Sequence, residues 1–264
     1  MQGLKTLPLS FTNPRSVYWS HERDSYLVSH ANIIEEFSET WVSRGQFSPL
    51  QISSSPISPA IVEAKGALII AGNLSPEAWK LDKKTGEVLI NRKYNFNVIT
   101  QPKPYGDGLF MARTSENEKY GGPFDLTVFD EELSVVQQYR IPDLKKGQPY
   151  SHFAHNNLIG IVPGEHEGIR ILFIEKETGQ LVKVKKLPHC CKLSYNTTIN
   201  DEYLYIAAAD GIFCLDSTYS ICAMKVLPFY LNYHIEVVHK QDQSEYFLTG
   251  HHQDIVTWQH TEKY

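Results

Sequence analysis

Long apolar runs are missing from this sequence: no stretch approaches the ~20 residues that a membrane-spanning helix needs. Residues 1–14 carry one lysine and a broken apolar pattern, without the charged start and continuous apolar stretch of a secretory signal. The expectation is a cytoplasmic protein with no membrane partner. Cysteine is scarce, four in 264 residues, two of them adjacent at Cys190 and Cys191. That is too few for a disulfide framework and reads as reduced, buried thiols. Positive charge is scarce as well: 25 Lys and Arg stand against 30 Asp and Glu, a net charge of −5. Binding to a phosphate backbone needs clustered cations, so nucleic acid is excluded as a partner. The one local cluster, Lys183, Lys185, Lys186 and Lys192, reads as a solvated strand edge, where lysines discourage pairing with a foreign sheet.

Helical periodicity is absent over any dozen residues, and the best candidate, 32–41, equally fits a strand and its turn. The catalytic signatures are absent too: no Gly-x-Ser-x-Gly elbow, no phosphate-cradling glycine loop and no His-Glu-x-x-His. His189 precedes Cys190 and Cys191, but neighbours on a strand point to opposite faces, so thiol activation is not expected.

What is present is a repeat. Six short apolar runs begin at Tyr26, Ala67, Gly108, Leu158, Tyr203 and Tyr246, spaced 41, 41, 50, 45 and 43 residues apart. Each follows a turn-forming cluster such as Arg23-Asp24-Ser25, Lys65-Gly66 or Asn156-Asn157, where an antiparallel hairpin reverses. Four strands of about six residues with their turns need roughly 40 to 45 residues, one blade of a β-propeller. A second marker is a strand ending in an acidic turn: Leu81-Asp82-Lys83-Lys84-Thr85-Gly86, Phe129-Asp130-Glu131-Glu132, Ile174-Glu175-Lys176-Glu177-Thr178-Gly179 and Leu215-Asp216-Ser217-Thr218. The acid can accept hydrogen bonds from the turn backbone, and the glycine supplies a positive φ. A third marker is proline after an apolar residue, at Ile141-Pro142, Leu187-Pro188 and Leu227-Pro228, where a ladder must stop. Leu7-Pro8 repeats that ending near the N-terminus, and the last repeat is one strand short. Joining the two removes the exposed sheet edges. The expectation is an all-β chain, a single closed β-propeller domain over 1–264, of six four-stranded blades with the N-terminal strand completing the last. The alternative is a two-sheet sandwich.

The stretch Leu248-Thr249-Gly250-His251-His252-Gln253-Asp254-Ile255-Val256-Thr257-Trp258 resembles the second and third strands of a WD40 repeat, and 208–216 resembles it more weakly. Residues 81–89 and 174–181 are similar to repeats of the quinoprotein (PQQ-like) propellers. The resemblance covers most of the chain as architecture and about ten residues per blade as motif. No Trp-Asp pair occurs, and Leu89 and Val182 stand where the quinoprotein tryptophan belongs; no cofactor is expected. The resemblance implies a rigid disc with loops on its faces and a central channel lined by the first strand of each blade.

The residues at the starts of those first strands are the candidate site: His152 and His155 flanking one, Asn196 on the next, His234 at the entrance to the third. Neutral imidazoles converging there could hold a metal or small anion; the competing reading is channel-lining polar residues, and no metal is expected. His152 and His155, three apart, face opposite sides of a strand. Tyr150, Tyr195 and Tyr233 stand at the same entrances and could ring a channel mouth as a ligand anchor. Arg113 opens a long polar segment running to Asp125, placed on a loop of the kind that carries recognition. The functional expectation is a non-enzymatic scaffold binding a protein or peptide through one face. The alternative is a hydrolase or lyase with its site at the channel, where His152, Asn196 and His234 would contact the substrate.

Overall fold

The computed structural model describes residues 5–7, 14, 16–30, 33–48, 60–64, 66–71, 75–115, 125–141, 150–164, 168–187, 194–199, 203–208, 211–226, 234–240, 243–249 and 255–259. Among these there are 24 strands and no helix. The chain forms two compact units, Leu9–Gly147, and Gln148–Tyr264 together with Met1–Pro8.

Strand β1 (Lys5–Leu7) belongs to the second unit. In the first unit, β2 (Ser16–Ser20), β3 (Ser25–His30), β4 (Ile33–Phe37) and β5 (Ser43–Gln46) make an antiparallel meander. Within the run 32–41, residues 33–41 are thus strand and turn, and residue 32 lies outside the described residues. A second meander is β6 (Ala60–Ala64), β7 (Ala67–Ala71), β8 (Ser75–Asp82) and β9 (Val88–Val98); a third is β10 (Lys103–Gly106), β11 (Leu109–Ser115), β12 (Asp125–Phe129) and β13 (Val135–Arg140). The end of β9, with Val98 still opposite Ser75 of β8, also pairs Val98 with Thr114 and Asn97 with Ser115 of β11, so these two meanders form one eight-stranded sheet.

The second unit holds β14 (Tyr150–His155), β15 (Leu158–Pro163), β16 (Arg170–Glu175) and β17 (Leu181–Lys186) in one sheet. The next is β18 (Ser194–Ile199), β19 (Leu204–Ala208), β20 (Gly211–Leu215) and β21 (Ile221–Val226). The last is β22 (His234–Lys240), β23 (Gln243–Thr249) and β24 (Ile255–Gln259), and its fourth strand is β1: Lys5, Thr6 and Leu7 pair with Thr257, Val256 and Ile255. The N-terminal strand therefore completes the last sheet, as the displaced Leu7-Pro8 ending implied.

The meander β6–β9 buries both of its faces, which explains why its second strand reads as an unbroken apolar run. On β7, Leu68 and Ile70 join Leu27, Ile34 and Trp79 in one core, while Ile69 and Ala71 join Phe110, Phe129 and Leu133 in the next. Strand alternation delivers successive residues to two different cores. In the second unit Phe153, Val162, Ile171 and Phe173 of one sheet meet Leu204, Ile206, Phe213 and Leu215 of its neighbour. The fourth strands carry the exposed apolar residues, including Val88, Val135, Val182, Val184 and Met224. On β17 these alternate with Lys183, Lys185 and Lys186, the edge that the lysine cluster indicated.

The acidic turns take the role their spacing implied. Asp82 Oδ1 accepts from the N–H groups of Lys84 and Thr85, both at 2.8 Å. Asp130 Oδ1 accepts from Glu132 and Ser134, and Asp216 Oδ1 from Thr218 and Ser220. Gly86 and Gly179 supply φ of 73° and 69° in the two longer turns. The shorter turns place Trp41, Leu133 and Tyr219 in the same left-handed region, at 63°, 61° and 59°. A bulky residue there costs about 1–2 kcal/mol, and tertiary burial offsets it. Leu133 is fully buried, and Tyr219 lies 4.6 Å from the Phe173 ring centroid with its hydroxyl 2.9 Å from His155 Nδ1. Replacing Tyr219 by glycine relaxes the backbone but loses an aromatic burial and a hydrogen bond. The expected net loss is about 2 kcal/mol in urea unfolding; equal or greater stability in Tyr219→Gly would show that backbone strain dominates.

Candidate functional site

Three of the first strands, β2, β14 and β18, carry buried polar side chains. In the first unit β2 lies beside β6 and β6 beside β10; in the second β14 lies beside β18 and β18 beside β22. Ser16, Ser151, His152, Asn196 and Thr197 on these strands are all buried. They tie neighbouring sheets together: Ser16 Oγ accepts from the Ile61 N–H at 3.1 Å, and Thr197 Oγ1 donates to the His152 carbonyl at 3.0 Å. Where Asn196 enters, β18 carries a bulge. Ser194 pairs with Ala208 and Asn196 with Ala207, leaving Tyr195 as the extra residue. Bulges of this kind re-aim side chains and recur beside active sites.

His152 and Asn196 stand on adjacent strands, but their side chains diverge. Phe153 packs toward the β18 sheet, so His152, one residue earlier, is turned to the other face. Thr197 reaches back to β14, so Asn196 is turned toward β22. Asn196 Oδ1 accepts from the Thr197 N–H at 2.8 Å, so a bond to a further acceptor must come from Nδ2. His234 is the first residue of β22, next to β18. Tyr150 begins β14, and Tyr233 lies outside the described residues, as does the His251-His252 pair. His155 lies inside β14 rather than flanking it and is held by Tyr219.

Arg113, expected on a loop, is a buried residue within β11, paired opposite Leu126, with its N–H bonded to Thr100 Oγ1 at 3.1 Å. The strand extends to Ser115 because both β12 and the end of β9 pair with it. Of the cysteines, Cys214 is buried as expected, whereas Cys222 is exposed because it lies on the outer strand of its sheet. Among the described residues no group of three or more His, Cys, Asp or Glu is gathered closely enough to hold a metal ion.

Sequence reading missed an ionic cluster in the first unit, around the turn that follows β8. Lys83, in the turn after β8, bonds Glu63 at 2.6 Å and Glu22 at 2.8 Å, and Tyr18 donates to Glu63 at 2.5 Å. Burial, then the Glu63 carboxylate, pushes the Tyr18 hydroxyl far above its usual range. Beside it Arg23 and Arg44 clamp Glu36 at 2.6 and 3.2 Å. These residues are far apart in sequence, and nothing in their spacing marks them as partners. Burial opposes the Glu36 charge, but hydrogen bonds from Arg23 and Arg44 outweigh it and hold its pKa below the usual value. Glu22 is lowered by its bond to Lys83, and Asp216 by Thr218 and the Ser220 N–H. Such depressed carboxyls stabilise the fold above the unfolded pKa of about 4 and lose that contribution as pH falls through their folded values. The urea midpoint is therefore expected to drop from pH 5 toward pH 3, and less steeply in Glu36→Gln; parallel slopes would remove Glu36 from that account.

No protein-family model matches the sequence, and no curated protein matches it. Solved structures do. A gluconolactonase from Xanthomonas campestris superposes with a TM-score of 0.66 at 14% identity, over 96% of this chain and 88% of that one. A putative gluconolactonase gives 0.66 at 11%, over 97% and 91%. The WD40 β-propeller domain of Doa1 gives 0.64 at 10%, over 94% and 79%.

The fold is a divergent β-propeller. The WD40 resemblance of 248–258 is borne out as architecture, and the two-sheet sandwich is set aside. The expectation of a non-enzymatic scaffold is corrected, because two of these structures are a gluconolactonase and a putative gluconolactonase.

Proposed function

We propose that the chain is a closed six-bladed propeller over 1–264, its first strands surrounding one axis, and that it is a hydrolase of cyclic esters with its site at that axis. The observation that carries this reading is the likeness to the two gluconolactonase structures over nearly the whole chain. The buried polar side chains on β14 and β18 and the bulge before Asn196 support it. Lactone hydrolysis needs water delivered to a carbonyl carbon, a base for its proton and a donor for the oxygen that gains charge. Asn196 suits the donor role, because its oxygen is already engaged by the Thr197 N–H. His234, opening the neighbouring strand, is assigned the role of base. His152, turned to the other face, is assigned a place outside this pair.

The test is acid release from a gluconolactone at neutral pH, followed with an indicator dye against the spontaneous rate. Acceleration that saturates with lactone concentration is expected. A rate equal to the blank for five- and six-membered lactones alike would reject the reading.

A further inference from the structure

Cys214 and Cys222 lie on neighbouring antiparallel strands, β20 and β21. Cys214 pairs with Ala223 and Leu215 with Ile221, so Cys222 is the extra residue of a bulge. The bulge turns its thiol back across the ladder, where Cys222 Sγ lies 3.3 Å from the Cys214 carbonyl oxygen and 3.4 Å from Cys214 Sγ. Strands in a sheet run about 4.8 Å apart, and disulfides span Cα separations of about 4.4–6.8 Å, so the backbone spacing suits a cross-link. One thiol is exposed and the other buried. β21 is the outer strand of its sheet, with a partner on one side alone, which leaves it room to adjust as the sulfurs close to about 2 Å.

We propose that Cys214 and Cys222 are a modification site that low-molecular-weight disulfides such as oxidised glutathione convert to an intramolecular disulfide. The exposed Cys222 reacts first: its thiol loses a proton, the thiolate attacks one sulfur of the small disulfide, that S–S bond breaks, and one small thiol leaves. Cys214 then loses its proton and attacks the Cys222 sulfur of the mixed disulfide, forming the protein S–S bond and expelling the second small thiol. The protein gives up two electrons, and the small disulfide is reduced to two thiols. The order follows from accessibility. Burial, with the contact from Cys222, pushes the Cys214 thiol up to about 12, so it is a poor first nucleophile and acts by proximity as the resolving one. The product ties the outer strand of this sheet to its neighbour.

The test incubates the full chain with oxidised glutathione, blocks remaining thiols with iodoacetamide under denaturing conditions, and cleaves before aspartate. Asp216 lies between the two cysteines, so they part into different peptides. The expected result is a linked pair of those peptides about 2 Da lighter than their reduced sum, reversed by a thiol reductant. Cys214→Ala should instead accumulate glutathione on Cys222. Cys222→Ser, changed at an exposed position, should leave Cys214 alkylated and unoxidised, and it carries the test if the buried substitution fails to fold. Alkylation of both residues in the wild type, or glutathione persisting on wild-type Cys222, would overturn the proposal.

Discussion

Gly160→Ala is expected to destabilise the protein by about 3 kcal/mol, a large share of the 5–15 kcal/mol that holds a typical domain together. Gly160 on β15 pairs directly opposite Phe153 on β14, and the phenylalanine ring lies over the glycine. A Cβ added there would sit 2.0 Å from Phe153 Cζ and 2.2 Å from Cε1, well inside van der Waals contact. The ring has no space to retreat. It is buried between two sheets, edge-on to Phe173 at 6.4 Å and against Tyr219 at 6.2 Å. Either the ring leaves its site, at a cost like that of a phenylalanine truncation, about 3–5 kcal/mol, or the strands shift, at about 1–3 kcal/mol. Because one contact causes the loss, Gly160→Ala combined with Phe153→Leu should be less destabilising than the sum of the single changes, by at least about 1 kcal/mol in a denaturant cycle. Strict additivity would mean that the clash is relieved elsewhere.

The second large effect concerns the proposed hydrolase. Asn196→Ala and His234→Ala are each expected to lower kcat/KM on a lactone by about 10²–10³, the usual loss on removing an oxyanion donor or a general base. His152→Ala should lose far less per folded molecule, because strand alternation turns His152 away from the β18–β22 side where Asn196 points. Far-UV circular dichroism of each variant separates folding from chemistry. A loss in His152→Ala as deep as in Asn196→Ala would reject the division by strand faces. Wild-type activity in Asn196→Ala would move the site away from β18.

The glycine and the histidine illustrate how unevenly a sequence reports its structure. Period and punctuation were legible because they are local. The spacing of the apolar runs, the acids that cap tight turns and the displaced Leu7-Pro8 ending each follow from backbone chemistry within a few residues, and together they imply four-stranded antiparallel sheets completed from the N-terminus. Sequence reading placed Arg113 on a loop because its neighbourhood is polar, whereas pairing with two other strands keeps it within β11 and buries it. It expected glycine to supply the positive φ of the hairpin turns, yet Trp41, Leu133 and Tyr219 take that conformation, where stacking of Trp41 on Tyr26 and burial of Leu133 and Tyr219 offset the strain.

The function reading rested on fold class alone, and the likeness to gluconolactonase structures, invisible at 11–14% identity, redirected it. By itself the sequence determined the repeat, the strand type and the turn chemistry, since these are set by alternation, proline, glycine and capping acids close along the chain. Only the tertiary structure decided which distant residues meet: Lys83 with Glu22 and Glu63, Thr197 with the His152 carbonyl, and the faces to which His152 and Asn196 turn. Those contacts join residues tens of positions apart, and their geometry is set by sheet-on-sheet packing that no local pattern encodes.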